Sequence, residues 1–127
     1  MRIGLILILL FQLAVPAHAH HSFAADFDAA KPVSLTGTVS KVEWTNPHAH
    51  IHIDVKDVKD GNGAFISWNV ELGTPNALMR GGWLRNSVKT GDTVTVTGYG
   101  ARNGSPNVNA RSVKSRDGRQ LFARTGS

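Results

Sequence analysis

The sequence predicts a mostly β protein: a small OB-like barrel of five to six strands, with one short helix between the third and fourth. Three observations predict it. Between residues 33 and 122, apolar side chains recur at every second position in separate short runs, the mark of strands with one buried face. Clusters of Gly, Pro and Asn part those runs at short intervals. One stretch alone, 74–80, carries helix start and stop signals. The order β-β-β-α-β-β is the one an OB-type barrel uses, closing its sheet so that no long edge is left exposed. An open sheet with a helix on one face is the alternative.

Each element has its own justification. Phe23 and Phe27 are spaced i, i+4, enough for one helical turn to pack on a core, and Pro32 then starts an extended run. In residues 33–42, Val33, Leu35, Gly37 and Val39 share one face, while Ser34, Thr36, Thr38 and Ser40 share the other. Val42 and Trp44 continue on the opposite parity, which predicts a bulge near Ser40-Lys41. Thr45-Asn46-Pro47 is a turn signal. Residues 48–55 set Ala49, Ile51, Ile53 and Val55 against His48, His50, His52 and Asp54. After a polar loop, residues 64–72 form a third strand with Ile66, Trp68 and Val70 facing inward. Thr74 caps a short helix that has Pro75 at its first position, and Gly81-Gly82 ends it. Residues 93–99 and 108–114 are the fourth and fifth strands. Arg116-Asp117-Gly118-Arg119 makes a hairpin turn into a short closing strand at 120–122.

The start of the chain reads as an export signal. Arg2 is followed by an apolar run over 3–15, interrupted only by Gly4 and Gln12, then by Pro16 and small residues. The run is well short of the ~20 residues a membrane-spanning helix needs, and with an A-x-A site it predicts a cleaved signal peptide over 1–19. A cut after Ala17-His18-Ala19 makes His20 the first mature residue; a second acceptable cut, after Val15-Pro16-Ala17, makes it His18. Either way the new N-terminus is a histidine, and no membrane span remains. The organisation is then a signal peptide (1–19), a lead-in segment (20–32), the barrel domain (33–122) and a frayed tail (123–127). The chain has no cysteine, which excludes disulfides, Fe–S clusters, thiolate zinc sites and thiol catalysis. An exported domain without disulfides points to a bacterial periplasm or to secretion from a bacterium.

The six histidines fall in two clusters: His18, His20 and His21, then His48, His50 and His52. Alternate residues of a strand point the same way, and two imidazoles at that spacing can converge on one ion at about 2.0–2.1 Å. His-x-His-x-His offers two overlapping chelates, with Asp54 next on the same face as an oxygen ligand. A free α-amine and the imidazole of the same first histidine form a second chelate, and that ligand set suits Cu(II) above zinc and nickel. The candidate ligands are therefore His20, His48 and His50, with His21, His52 and Asp54 behind them. The plainer reading makes the His48 face the solvated side of a strand. Asn69 and Glu71, on the outward face of the third strand, can hydrogen-bond the imidazoles if that strand neighbours the second; a polar exterior is the simpler account of them. No HExxH, GxSxG or phosphate loop is present, so no catalytic residues are assigned and the chain is not read as an enzyme.

The formal net charge is +5. After Gly100, six basic residues (Arg102, Arg111, Lys114, Arg116, Arg119 and Arg124) face one acid, Asp117. Trp44, Trp68, Trp83 and Tyr99 are candidates for ring stacking, although Trp68 shares the parity of Ile66 and Val70 and belongs with the core. Basic residues with aromatics suit nucleic acid, but export removes that partner, and a solvated basic edge, or attraction to an anionic lipid surface or an envelope protein, fits better.

Several stretches together resemble a known family. They are His20-His21-Ser22-Phe23, residues 33–39 (VSLTGTV), residues 42–48 (VEWTNPH), residues 71–78 (ELGTPNAL), Gly91-Asp92 and Gly98-Tyr99. They are similar to the exported bacterial proteins grouped as domain of unknown function 6152. The resemblance covers nearly the whole mature chain and implies a signal peptide, a small β-barrel-like domain and a bacterial source. It implies no activity. The functional expectation is a periplasmic module that binds a metal ion, copper first. The rival expectation is an envelope module that binds a protein, a glycan or anionic lipid and has no metal role.

Overall fold

The computed structural model describes residues 23–124. His18, His20, His21 and both expected cleavage points lie outside the described residues. The chain runs α1 (Phe23–Asp26), β1 (Phe27–Glu43), β2 (His50–Lys56), β3 (Phe65–Glu71), α2 (Pro75–Arg80), β4 (Thr93–Ala101), β5 (Asn107–Ser115) and β6 (Gln120–Ala123). Among the described residues the fold is mostly β, with two short helices where the sequence predicts one: the turn begun by Phe23 is a helix in its own right.

The strands form one sheet in the order β3-β2-β1-β4-β5-β6, and β3 also pairs with β5. That pairing is parallel and short, Asn69 to Glu71 against Asn107 to Asn109; the other pairings are antiparallel. β1 makes the arrangement work. Its first two thirds pair with β4 and its last third with β2, and the register shifts between Val39 and Lys41. The extra residue, Ser40, reverses the parity, so Val39 and Val42 both pack with the core while Lys41 and Glu43 join the polar face of β2. β1 starts at Phe27, six residues before the predicted strand. Pro32 does not break it: it stands opposite Tyr99 as the first residue of the regular β1–β4 register, next to the irregular stretch that follows Phe27.

The core lies between β2, β3, β4, β5 and α2. Ile51, Ile53, Val70, Leu72, Val94, Val96, Val108 and Val113 are essentially inaccessible. α2 seals one side with Leu78, and its start is secured by the Thr74 side chain, which accepts from Ala77 N at 3.1 Å. Two expectations need correcting. Ile66 is 37% exposed rather than inward-packed, because β5 reaches β3 only at Asn69–Glu71 and leaves the other end of β3 open. Trp83 is buried in the core, edge-on to Phe122 at 5.9 Å, so it offers no ring to a ligand. The β2 strand begins at His50, but the paired contacts of Ala49 with Gly73 and Leu72, both 2.9 Å, extend its order to the neighbouring residue.

Candidate functional site

The polar face of β2 lies in two cross-strand rows. Glu43, His50, Glu71 and Asn109 stand opposite one another on β1, β2, β3 and β5; Lys41, His52, Asn69 and Asn107 form the next row. On the core side of the same strands sit Val42, Ile51, Val70 and Val108. The strict alternation of β2 therefore gathers histidine, carboxylate and carboxamide groups on one surface.

His50 Nδ1 lies 3.0 Å from Asn69 Oδ1. His48 Nδ1 lies 3.4 Å from Glu71 Oε1, and the same oxygen accepts from the buried Asn109 Nδ2 at 3.3 Å. His48, His50, Glu71 and Asn109 line a cleft of about 530 Å³, whose other walls include Phe23, Asp26 and Phe27 from the N-terminal segment and Arg124 from the end of the chain. Among the described residues that line it, two carboxylates outweigh one guanidinium, so with neutral imidazoles that lining is net negative. Burial, and secondarily the charge of Arg111, lowers the pKa of Arg124 from its ordinary value.

α1 is fixed over this region by specific contacts. Phe23 stacks on Phe27 at 5.9 Å and meets Tyr99 edge-on at 5.7 Å. The Arg111 guanidinium lies 5.5 Å from the Phe23 ring and 5.1 Å from the Tyr99 ring. Arg102 donates to Ala24 O and Phe27 O, both at 3.2 Å, and its N–H donates to Asp26 O at 2.9 Å. Arg124 donates to Ala110 O and Leu72 O. Three of the six basic residues after Gly100 are thus spent on internal contacts rather than on an open cationic surface.

The predicted ligands separate into groups. His48 and His50 share the cleft. His52 turns away: its Nε2 lies 3.0 Å from Glu43 Oε2, and Lys41 Nζ is 2.6 Å from the other Glu43 oxygen. Those contacts, His52 first and Lys41 second, hold the Glu43 carboxyl down at about 2. Asp54 stands opposite Thr38 and Ser67 and does not line the cleft. Among the described residues, no three His, Asp or Glu side chains are grouped so as to hold a metal ion by themselves. His20 and His21 lie outside the described residues. Sequence reasoning missed Asp26, Asn109 and Arg124 as cleft residues, since nothing in local patterning shows that α1 and Arg124 meet at β2.

The fold and site define a small, mostly β domain with a histidine- and carboxylate-lined cleft against its first helix. Among the described residues, no helix is long and apolar enough to cross a membrane. The chain belongs to DUF6152, a family of unknown function, whose model matches residues 8–112. No curated protein matches it. Among solved structures, the chain is similar to the small single-stranded DNA-binding protein from Streptomyces coelicolor, at 16% identity and a TM-score of 0.42, over 66% of this chain and 89% of that one.

Proposed function

We propose that this is an exported periplasmic metal-binding module, built on an OB-like barrel, that takes Cu(II) ahead of zinc or nickel through His48, His50 and the processed N-terminus at His20. One observation carries the reading: Phe23 lines the same cleft as His48 and His50. His20 precedes Phe23 by three residues, and three residues reach at most about 10 Å, so a chain that starts at His20 has its amine and imidazole within range of that cleft. The described residues supply two imidazoles and a net negative surround but not a complete ligand set, and the amine–imidazole chelate of a first histidine supplies the rest. Such nitrogen ligands favour Cu(II). An α-amine with an ordinary pKa near ~8 gives up its proton readily to a competing metal. His21 is a further ligand candidate, while His52 and Asp54 stand outside the proposed set.

Calorimetric titration of Cu(II) into protein beginning at His20, and into the same protein carrying an added Met, tests the reading. One tight site is expected in the first and a much weaker one in the second. Equal affinity in both removes the N-terminal role, and no binding in either removes the metal reading. A second reading, an envelope interaction module, is favoured by the exposure of Val58 (90%) and Phe65 (66%) near the open end of β3. It predicts association that chelators do not disturb.

A further inference from the structure

A chain of hydrogen bonds runs from the β4–β5 loop to His50. Ser105 N donates to Asn103 Oδ1 at 3.0 Å. Ser105 Oγ donates to the same oxygen at 2.7 Å. Asn107 Nδ2 donates to Ser105 Oγ at 2.7 Å, and Asn69 Nδ2 donates to Asn107 Oδ1 at 3.0 Å. Asn69 Oδ1 then faces His50 Nδ1 at 3.0 Å.

The direction of this chain follows from its first link. A backbone N–H can only donate, so the Asn103 atom it meets is the carbonyl oxygen. That oxygen can only accept, so the Ser105 hydroxyl spends its single proton on it and offers a lone pair to Asn107. The Asn107 group there is the NH₂, which leaves its oxygen towards Asn69. The Asn69 NH₂ takes that oxygen, and its own oxygen is left towards His50. An oxygen cannot donate to a bare ring nitrogen, so the proton sits on Nδ1 and Nε2 carries the lone pair.

We infer that Asn69 and, through it, Asn107 and Ser105 are positioning residues that hold neutral His50 in the Nδ1–H tautomer and make Nε2 its ligand atom. The neutral imidazole on its own favours the opposite tautomer, so the loop reverses the ring's intrinsic preference. The consequence for affinity rests on the metal reading above; the tautomer itself does not. Oriented partners of this kind set both the tautomer and the ring angle of a metal-binding histidine.

The test is ¹⁵N NMR of the His50 ring in the metal-free protein, at a pH where the ring is neutral. The wild type is expected to show protonated Nδ1 and bare Nε2. Asn69→Ala and the remote Ser105→Ala are expected to move His50 towards the Nε2–H form. Asn69→Asp, which offers only acceptor oxygens, is expected to keep the wild-type signature. With Cu(II), Asn69→Ala is expected to lose about tenfold in affinity and Asn69→Asp to retain it. A wild-type His50 with its proton on Nε2, or a signature unmoved in both alanine variants, overturns the inference. A tautomer that responds as described in a protein that binds no copper supports the relay and overturns the metal reading instead.

Discussion

Replacing Gly98 with Ala probes how closely β4 and β5 are fitted at the site. A Cβ on Gly98 would stand 2.1 Å from Asn109 O, 2.9 Å from Asn109 C and 3.0 Å from Ala110 Cα. All three are backbone atoms, so no side chain can swing aside. Ordinary contact starts near 3.4 Å, and β5 would have to retreat by more than an ångström. It has little room to do so: Val108 and Ala110 are wholly buried, and Asn109 holds Glu71. Overpacking of this kind costs about 3 kcal/mol, a large fraction of the ~5–15 kcal/mol that holds a domain together. At ~4–8 °C per kcal/mol for a domain near this size, the melting temperature should fall by roughly 12–24 °C. Thermal unfolding followed by circular dichroism and tryptophan fluorescence reads it. Gly61→Ala is the control, because nothing lies within 4 Å of a Cβ at that position. If Gly98→Ala melts with the wild type and the control, the close approach of these two strands is wrong.

Other consequences can be checked separately. His52→Ala should move the Glu43 carboxyl from about 2 up towards its usual 4.5, because the larger of its two stabilising bonds is gone; an unmoved NMR titration would assign the whole effect to Lys41. Since the folded value is depressed, the stability this carboxylate adds is present above the ordinary carboxylate range and is lost as pH falls through about 2. Thr74→Ala removes the cap of α2 and should cost about 1 kcal/mol in denaturant unfolding; no change would mean that the helix start is held by Pro75 and Leu78 alone. His48→Ala and His50→Ala should each weaken Cu(II) binding at least tenfold, while His52→Ala should leave it within about twofold. The reverse pattern would move the metal to the Glu43 side of the sheet.

The strands were legible because burial on one side and water on the other impose a two-residue period that survives in local sequence. Val33, Leu35, Gly37 and Val39 announce β1, and the parity switch at Ser40-Lys41 announces its bulge. The start of β1 was hidden, since Asp28, Ala29, Ala30 and Lys31 carry no alternation, and the pairs that tie this segment to β4 are those at its two sides, Phe27 with Ala101 and Pro32 with Tyr99. The exposure of Ile66 was hidden as well: its parity is right for the core, but whether a strand end is covered depends on a partner far away in sequence. The site divided in the same way. That His48 and His50 share a face follows from spacing, and Asn69 and Glu71 could be named as partners once β3 was placed beside β2. The turning away of His52 was not legible, because it depends on Glu43 arriving beside it through the bulge. Nor was the placement of α1, which is set by Arg102, Arg111 and Tyr99 from the other half of the chain.

Phe23 and Arg124, the first and last residues described, both line the cleft. A segment inserted directly before Phe23 or directly after Arg124 is therefore tethered at its rim. A bulky segment inserted directly ahead of Phe23 would start at the cleft wall, so a negative binding experiment on such a protein would report on the insertion. The same adjacency makes a circular permutant of residues 23–124 natural, with Arg124 joined to Phe23 by a short linker and the chain opened in the exposed 57–64 loop.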